Sequence, residues 1–181
     1  MKELTLWDLI YAIDMAVACA ISYVLVTELL GRFVDQANTM LGGMWAAVAT
    51  VFVFRETREG SVSAGLSRLI ATCVSFVLGF IYIALFPINA IGIRFVIGLG
   101  TIIMMMLARR DDIVTTGITT TVVLVVAAID PEHAWVQPPL RLLDTIVGIA
   151  VGVLLKWAAS AAARAGLVPI SSQPAGSTAT K

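Results

Sequence analysis

Long apolar runs succeed one another through this sequence, and the charged residues between them are too few to coat a water-soluble fold. Charged residues make up 13% of the chain and apolar ones 59%. A soluble domain carries about a quarter charged residues. Mean hydropathy is +0.95. A deficit of that size points to an integral membrane protein. The 181 residues suffice for one domain. The formal net charge is zero, so nucleic acid is not an implied partner.

Six apolar segments can be drawn, at about residues 9–30, 41–54, 66–86, 91–107, 113–129 and 140–159. A bilayer-crossing helix takes about 20 residues, with about 17 as the lower limit. The first, third and sixth segments meet that length. The fourth and fifth are marginal, and the second crosses only if it is extended back to about Asn38. The expected architecture is all-α and polytopic, with about six transmembrane helices in one domain over residues 1–165. The Ser, Thr, Gly, Pro and Ala tail over 166–181 reads as disordered and cytoplasmic. Asp14 interrupts the first run, which favours an uncleaved first span over a signal peptide.

Breaks between segments are legible. They fall at residues 31–40, at the charged stretch 55–60, at Pro87 and Asn89, and at Arg109-Arg110-Asp111-Asp112. Pro138-Pro139 suits the first turn of the last helix. With six spans, one side of the membrane takes nine Lys and Arg residues. The other takes Arg32, Arg94 and Arg141. Positive charge favours the cytoplasm, so both termini are expected there. A re-entrant second segment would give the same count. Trp7, Trp45, Trp135 and Trp157 fall near segment ends, as an aromatic belt does.

Residues 141–152 read R-L-L-D-T-I-V-G-I-A-V-G, and residues 68–79 echo them as R-L-I-A-T-C-V-S-F-V-L-G. Five of the twelve positions are identical. Arg, Thr, a small residue and Gly recur on one helical stripe. In six spans the echo is compatible with a 3+3 inverted repeat, as in many secondary transporters. Coincidence between two apolar segments is the competing reading. Ser75 with Gly79, and Gly148 with Gly152, form small-xxx-small patterns. These faces are expected to pack against each other or across a subunit boundary.

Charges at membrane depth are costly and so mark candidate function. Arg68, Arg94 and Arg141 offer positive potential along a substrate path. Arg68 follows Glu56 and Glu59, which are available to pair with it, and snorkelling competes for Arg94 and Arg141. Asp14 and Asp144 have side chains too short to snorkel easily, and are the candidates for proton coupling. Asp144 also stands three residues from Arg141 and can pair with it on one face. Thr115, Thr116, Thr119, Thr120 and Thr121 form a hydroxyl row that either lines a polar path or bonds back to its own helix.

No motif in the sequence supports an enzyme, a cofactor or a metal site. Met104-Met105-Met106 reads as packing, and His133 with Asp130 and Glu132 as a solvated loop. Cys19 and Cys73 read as two buried, reduced thiols.

The run W-A-A-V-A-T-V-F-V-F from Trp45 leads into a hydrophilic turn and S-x-x-x-G-L-x-R-L-I-A-T from Ser61. The R-R-D-D turn, the Thr- and Val-rich span and R-L-L-D-T-I-V-G-I-A-V-G follow. In this order the pieces resemble the fusaric acid resistance and aromatic acid exporter superfamily, from Trp45 to Leu155. Ala71 and Cys73 depart slightly from its usual small or Gly-Thr residues. The resemblance implies a bacterial inner-membrane six-helix module, often found in larger proteins with cytoplasmic domains; this sequence departs from those larger members in holding the membrane module and little else. It implies efflux of aromatic carboxylates or similar organic anions, driven by protons, from a homo-oligomer in the lipid bilayer. The alternative is a non-transporting membrane scaffold or assembly subunit held by the small-residue faces.

Overall fold

The computed structural model describes residues 6–55 and 57–164, without the side chains of Trp7 and of residues 162–164. The expected tail over 166–181 lies outside the described residues, as does Glu56. Among the described residues every regular element is helical. α1 covers Leu6–Leu30, α2 Gln36–Val53, α3 Arg58–Leu85, α4 Ala90–Met106, α5 Ile113–Ile129 and α6 Gln137–Arg164. Short 3-10 turns at Arg110–Asp112 and Ala134–Val136 precede α5 and α6.

The helix starts follow local chemistry. Asp35 caps α2, its carboxylate accepting from the N–H groups of Ala37 and Asn38. Thr57 caps α3 by accepting from the Gly60 N–H, and Asn89 caps α4 by accepting from the Gly92 N–H. Pro138 and Pro139 lie in the first turn of α6, where a missing N–H costs nothing. Two helices run beyond their apolar segments. α3 starts at Arg58, about eight residues before its apolar segment, and α6 runs on to Arg164. Hydropathy alone misses these ends because they are polar but still helical.

Four segments are long and apolar enough to cross a membrane: Asp8–Leu30, Arg58–Leu85, Arg110–Ile129 and Ala134–Ala161. Ala90–Met106 is a shorter apolar helix, and α2 has 18 residues. Leu6, Leu9, Ile13, Val24 and Leu25 of α1 are exposed, as are Ile91, Phe95 and Met106 of α4. In lipid such faces need no further cover.

Packing is centred on α3 and α6, which contact each other along their length. α2 lies against α6 and α1, and α5 lies against α3 and α4. The two small-residue faces do not meet each other. Each packs on a third helix of its own chain. Gly148 and Gly152 face Ala46, Ala49, Thr50 and Val53 of α2, and Gly79 faces Val123 of α5. Hydrogen bonds stitch both seams. The Thr50 hydroxyl donates to the Ala46 and Gly148 carbonyls at 3.0 Å each. The Ser75 hydroxyl contacts the Ala71 and Thr116 carbonyls at 3.0 and 3.1 Å. The reason is size: only residues this small let the backbones approach closely enough for such bonds.

Trp45 differs from its expected place in a surface belt. It is buried, 4% exposed, between the helices. Trp135 is exposed beside the second 3-10 turn. Trp157 is partly exposed, its carbonyl accepting from Arg58 at 3.0 Å.

Candidate membrane-embedded polar site

Three charged side chains are buried almost completely: Arg68 at 3% exposure, Arg141 at 1% and Asp144 at 0%. α6 supplies two of them. Arg141 and Asp144 stand three residues apart, which sets them on one helix face. Their closest atoms, Nη1 and Oδ2, are 3.0 Å apart. The contact is Coulombic without good alignment. Among the described residues no hydrogen bond reaches the guanidinium nitrogens of Arg141 or either carboxylate oxygen of Asp144. The Arg141 carbonyl is occupied by the Thr145 hydroxyl at 2.8 Å.

α2 closes this pair from one side. A Cβ at Gly42 would lie 2.9 Å from Asp144 Oδ1 and 2.7 Å from Leu30 Cδ1. Gly42 is thus the residue that lets α2 approach the carboxylate. Below it, the Gln137 amide donates to Asn38 Oδ1 at 2.9 Å, tying the start of α6 to the start of α2.

Arg68, on α3, has no such partner. Its guanidinium carbon sits 4.6 Å from the centroid of Phe52 and 5.4 Å from that of Trp45. All three of its side-chain nitrogens lack a hydrogen bond among the described residues. Glu59 is exposed in the first turn of α3 and does not pair with it, and Glu56 lies outside the described residues. Trp45 is buried but Phe52 is 40% exposed, and cation–π contact is worth about 0.5–2 kcal/mol across that range of exposure. That offsets only part of the cost of burying a charge.

A second network lies beside it. Asp112 pairs with Arg109 at 2.8 Å and contacts the Ser67 hydroxyl at 2.7 and 2.8 Å. Its charge is therefore already compensated. Arg68, Ser67, Asp112 and Thr115 line one cavity of about 250 Å³ with Phe52, Arg55, Ala64 and Asp111.

The threonine row divides. Thr116, Thr119 and Thr121 donate to carbonyls one turn back, at 3.0, 2.9 and 2.8 Å. Thr120 reaches across to Ser75 Oγ at 3.0 Å. Thr115 borders the Arg68 cavity. Arg94 stays exposed on α4, its Nε 3.3 Å from the Ala90 carbonyl. Asp14 is half-buried on α1 and makes no ion pair with a described residue. The geometry thus groups Arg68 with Thr115, and Arg141 with Asp144, while Arg94 and Asp14 stand apart from both groups.

Sequence reading missed Trp45 and Phe52 as partners of Arg68, and missed the Ser67–Arg109–Asp112 network. The signal for the network was present: Ser67 adjoins Arg68, and Asp112 closes the R-R-D-D turn. Cys19 and Cys73 are both free thiols, but neither is buried as the apolar segments suggested: Cys19 is half-buried and Cys73 is exposed on the outer face of α3. Among the described residues no group of His, Cys, Asp or Glu is arranged to hold a metal ion.

Among the described residues every regular element is helical, several helices are long and apolar enough to cross a membrane, and charges lie buried between them; together these define a multi-pass membrane protein. The family follows from the sequence match. Residues 23–155 fit the family model described as fusaric acid resistance protein-like, and the chain belongs to that family. It is a family of transporters rather than of enzymes. No curated protein and no solved structure shows significant similarity to the chain.

Proposed function

We propose that this protein exports aromatic carboxylates or similar organic anions across the bacterial inner membrane, using the proton gradient. The observation that carries the reading is the set of charges buried between helices of a transporter-family chain: Arg68 on α3, and Arg141 with Asp144 on α6. Charges are retained at membrane depth where they serve a path or a proton relay. In this reading Arg68, Arg94 and Arg141 attract the anion, and Thr115, Thr116, Thr119 and Thr120 line the route. Asp144 carries the coupling proton, with Asp14 as a second carrier.

The same proposal includes six crossings, both termini in the cytoplasm, one domain over residues 1–165 and a homo-oligomer in the lipid bilayer. The positive-charge asymmetry supports the orientation. A 3+3 inverted repeat is supported by the packing pattern. Exchanging α1 with α4, α2 with α5 and α3 with α6 turns each main helix pair into another observed pair. The seams correspond as well. Gly148 meets the Ala46 carbonyl beside Thr50, and Ser75 meets the Thr116 carbonyl beside Thr120.

The test is flux. Purified protein in liposomes is loaded with benzoate, and release is followed with and without an imposed pH gradient. Gradient-dependent release supports the reading. Release that ignores the gradient removes proton coupling. Equal flux in Asp144→Asn and wild type removes Asp144 from that role.

A further inference from the structure

Arg68 is the one fully buried cation of the described bundle for which no described acidic group is within pairing distance. Arg141 has Asp144 at 3.0 Å. The acidic groups nearest to Arg68 are engaged or solvated. Asp112 is held by Arg109 and Ser67, and Asp111 is exposed at the turn before α5. The Arg68 guanidinium, unpaired among the described residues, lines a cavity at the end of the bundle where α2 stops and α3 and α5 begin.

The walls of that cavity have a definite chemistry. Arg55 and Asp111 stand exposed at its rim, and Arg68 lies buried within. Phe52 offers a ring that already stacks on the guanidinium, and Ala64 leaves space on the α3 side. Ser67 and Thr115 contribute hydroxyls. The volume of about 250 Å³ falls just under the roughly 300–1,000 Å³ of sites for drug-sized ligands. It fits a single-ring molecule.

We infer that this cavity is a binding site for a small monocarboxylate with a planar apolar body, whose carboxylate pairs with Arg68 and whose ring lies against Phe52. A carboxylate matches the fork of guanidinium donors, which favours bidentate pairing. One negative charge neutralises a guanidinium that no described acidic group pairs with. A dianion would bring an excess charge next to Asp111 and Asp112. The inference deepens the export reading and rests on it for the substrate class, but the site is defined by binding alone.

The experiment uses the full chain in lipid nanodiscs with benzoate as the probe and benzyl alcohol and inorganic phosphate as controls. Affinity is read by calorimetry and by Trp45 fluorescence, because Trp45 adjoins Arg68. Wild type is expected to bind benzoate, with benzyl alcohol and phosphate at least tenfold weaker. Arg68→Gln is expected to weaken benzoate at least tenfold. Ala64→Phe keeps Arg68 and fills the cavity, and is expected to weaken benzoate equally. Arg32→Gln, in the exposed turn between α1 and α2, is expected to bind as wild type does. Should Arg68→Gln fail to fold, Ala64→Phe still decides the question. Undiminished benzoate affinity in Ala64→Phe, or phosphate bound more tightly than benzoate, overturns the site. Flux in liposomes separates the two readings: binding without flux keeps the site and removes export, whereas flux without this binding removes the site and keeps export.

Discussion

Gly148→Ala tests the packing account most directly, and Gly98→Ala is its internal control. A Cβ at Gly148 would stand 2.8 Å from Ala49 Cβ, with the Ala46 carbonyl oxygen closer still. Ordinary contact begins at about 3.4 Å. α2 and α6 must therefore separate by at least about 0.6 Å at this point, and the neighbour is backbone, which cannot swing aside. Overpacking of this kind costs about 1–3 kcal/mol. The separation also stretches the Thr50 hydrogen bond to the Gly148 carbonyl, worth about 0.6 kcal/mol in a membrane helix pair. Against this, replacing a helical Gly by Ala gains about 0.8–1.0 kcal/mol. The net expectation is a loss of about 0.6–2.8 kcal/mol. At Gly98 a Cβ would meet nothing within 4 Å, so Gly98→Ala keeps the propensity gain of about 1 kcal/mol. Helicity of detergent-purified protein, followed by circular dichroism on heating, should separate the two variants by about 5–15 °C. Equal melting temperatures would refute the claim that α6 packs on α2 through Gly148.

Four further outcomes follow. Thr50→Val keeps shape but removes the hydroxyl that bridges to Gly148, and a loss of about 0.6 kcal/mol is expected, up to about 1.7, by the same melting assay. Asp144→Asn leaves Arg141 buried without a counter-charge and should cost about 3–5 kcal/mol. The Arg141→Gln/Asp144→Asn double variant should lose less than the two singles added together; strict additivity would show the pair to be uncoupled. Asp35→Ala removes the α2 cap and should cost about 0.5–2 kcal/mol, while Asp35→Asn should cost little, as Asn caps equally well. The hydrogen bond from the Asn38 side chain, followed by that from its backbone N–H, holds the Asp35 carboxyl below its ordinary value. Its contribution is therefore fully present above an unfolded pKa of about 3.9, and is lost as pH falls through the lower folded value. A melting series in acid should show that loss in wild type and not in Asp35→Asn.

Much of the architecture was legible because lipid imposes a simple rule. Apolar runs near span length, broken by charge or proline, became helices, and Pro87, Asn89 and Pro138 marked their ends. α2 was the hardest to read. Its first turns, Gln36 to Thr39, are polar, and the Asp35 cap rather than hydropathy sets its start. The Arg141–Asp144 pair was legible from spacing alone, since residues three apart share a helix face. The surroundings of Arg68 were not. Spacing along one helix cannot tell that Phe52 and Trp45, on the preceding helix, flank a guanidinium on the next, because that depends on how α2 and α3 face each other.

The two buried arginines occupy echoed sequence positions but have become chemically different. At position 141 an aspartate three residues on supplies the counter-charge. At the matching place in the first copy stands Ala71, so no acid stands within one turn of Arg68 on its own helix. Aromatic rings from α2 occupy part of the space, and a cavity the rest. If the two copies share an ancestor, the second has kept its charge balance inside the chain, while the first leaves it to be completed. An uncompensated buried cation costs stability. A fold that keeps one next to an open, ring-sized space has a chemical reason to do so when an anion passes through it. Installing the missing acid provides the decisive variant. Ala71→Asp places a carboxylate three residues from Arg68, as Asp144 stands to Arg141, so it should abolish benzoate binding by neutralising the guanidinium from within the chain. Unchanged binding would separate the charge imbalance from the site.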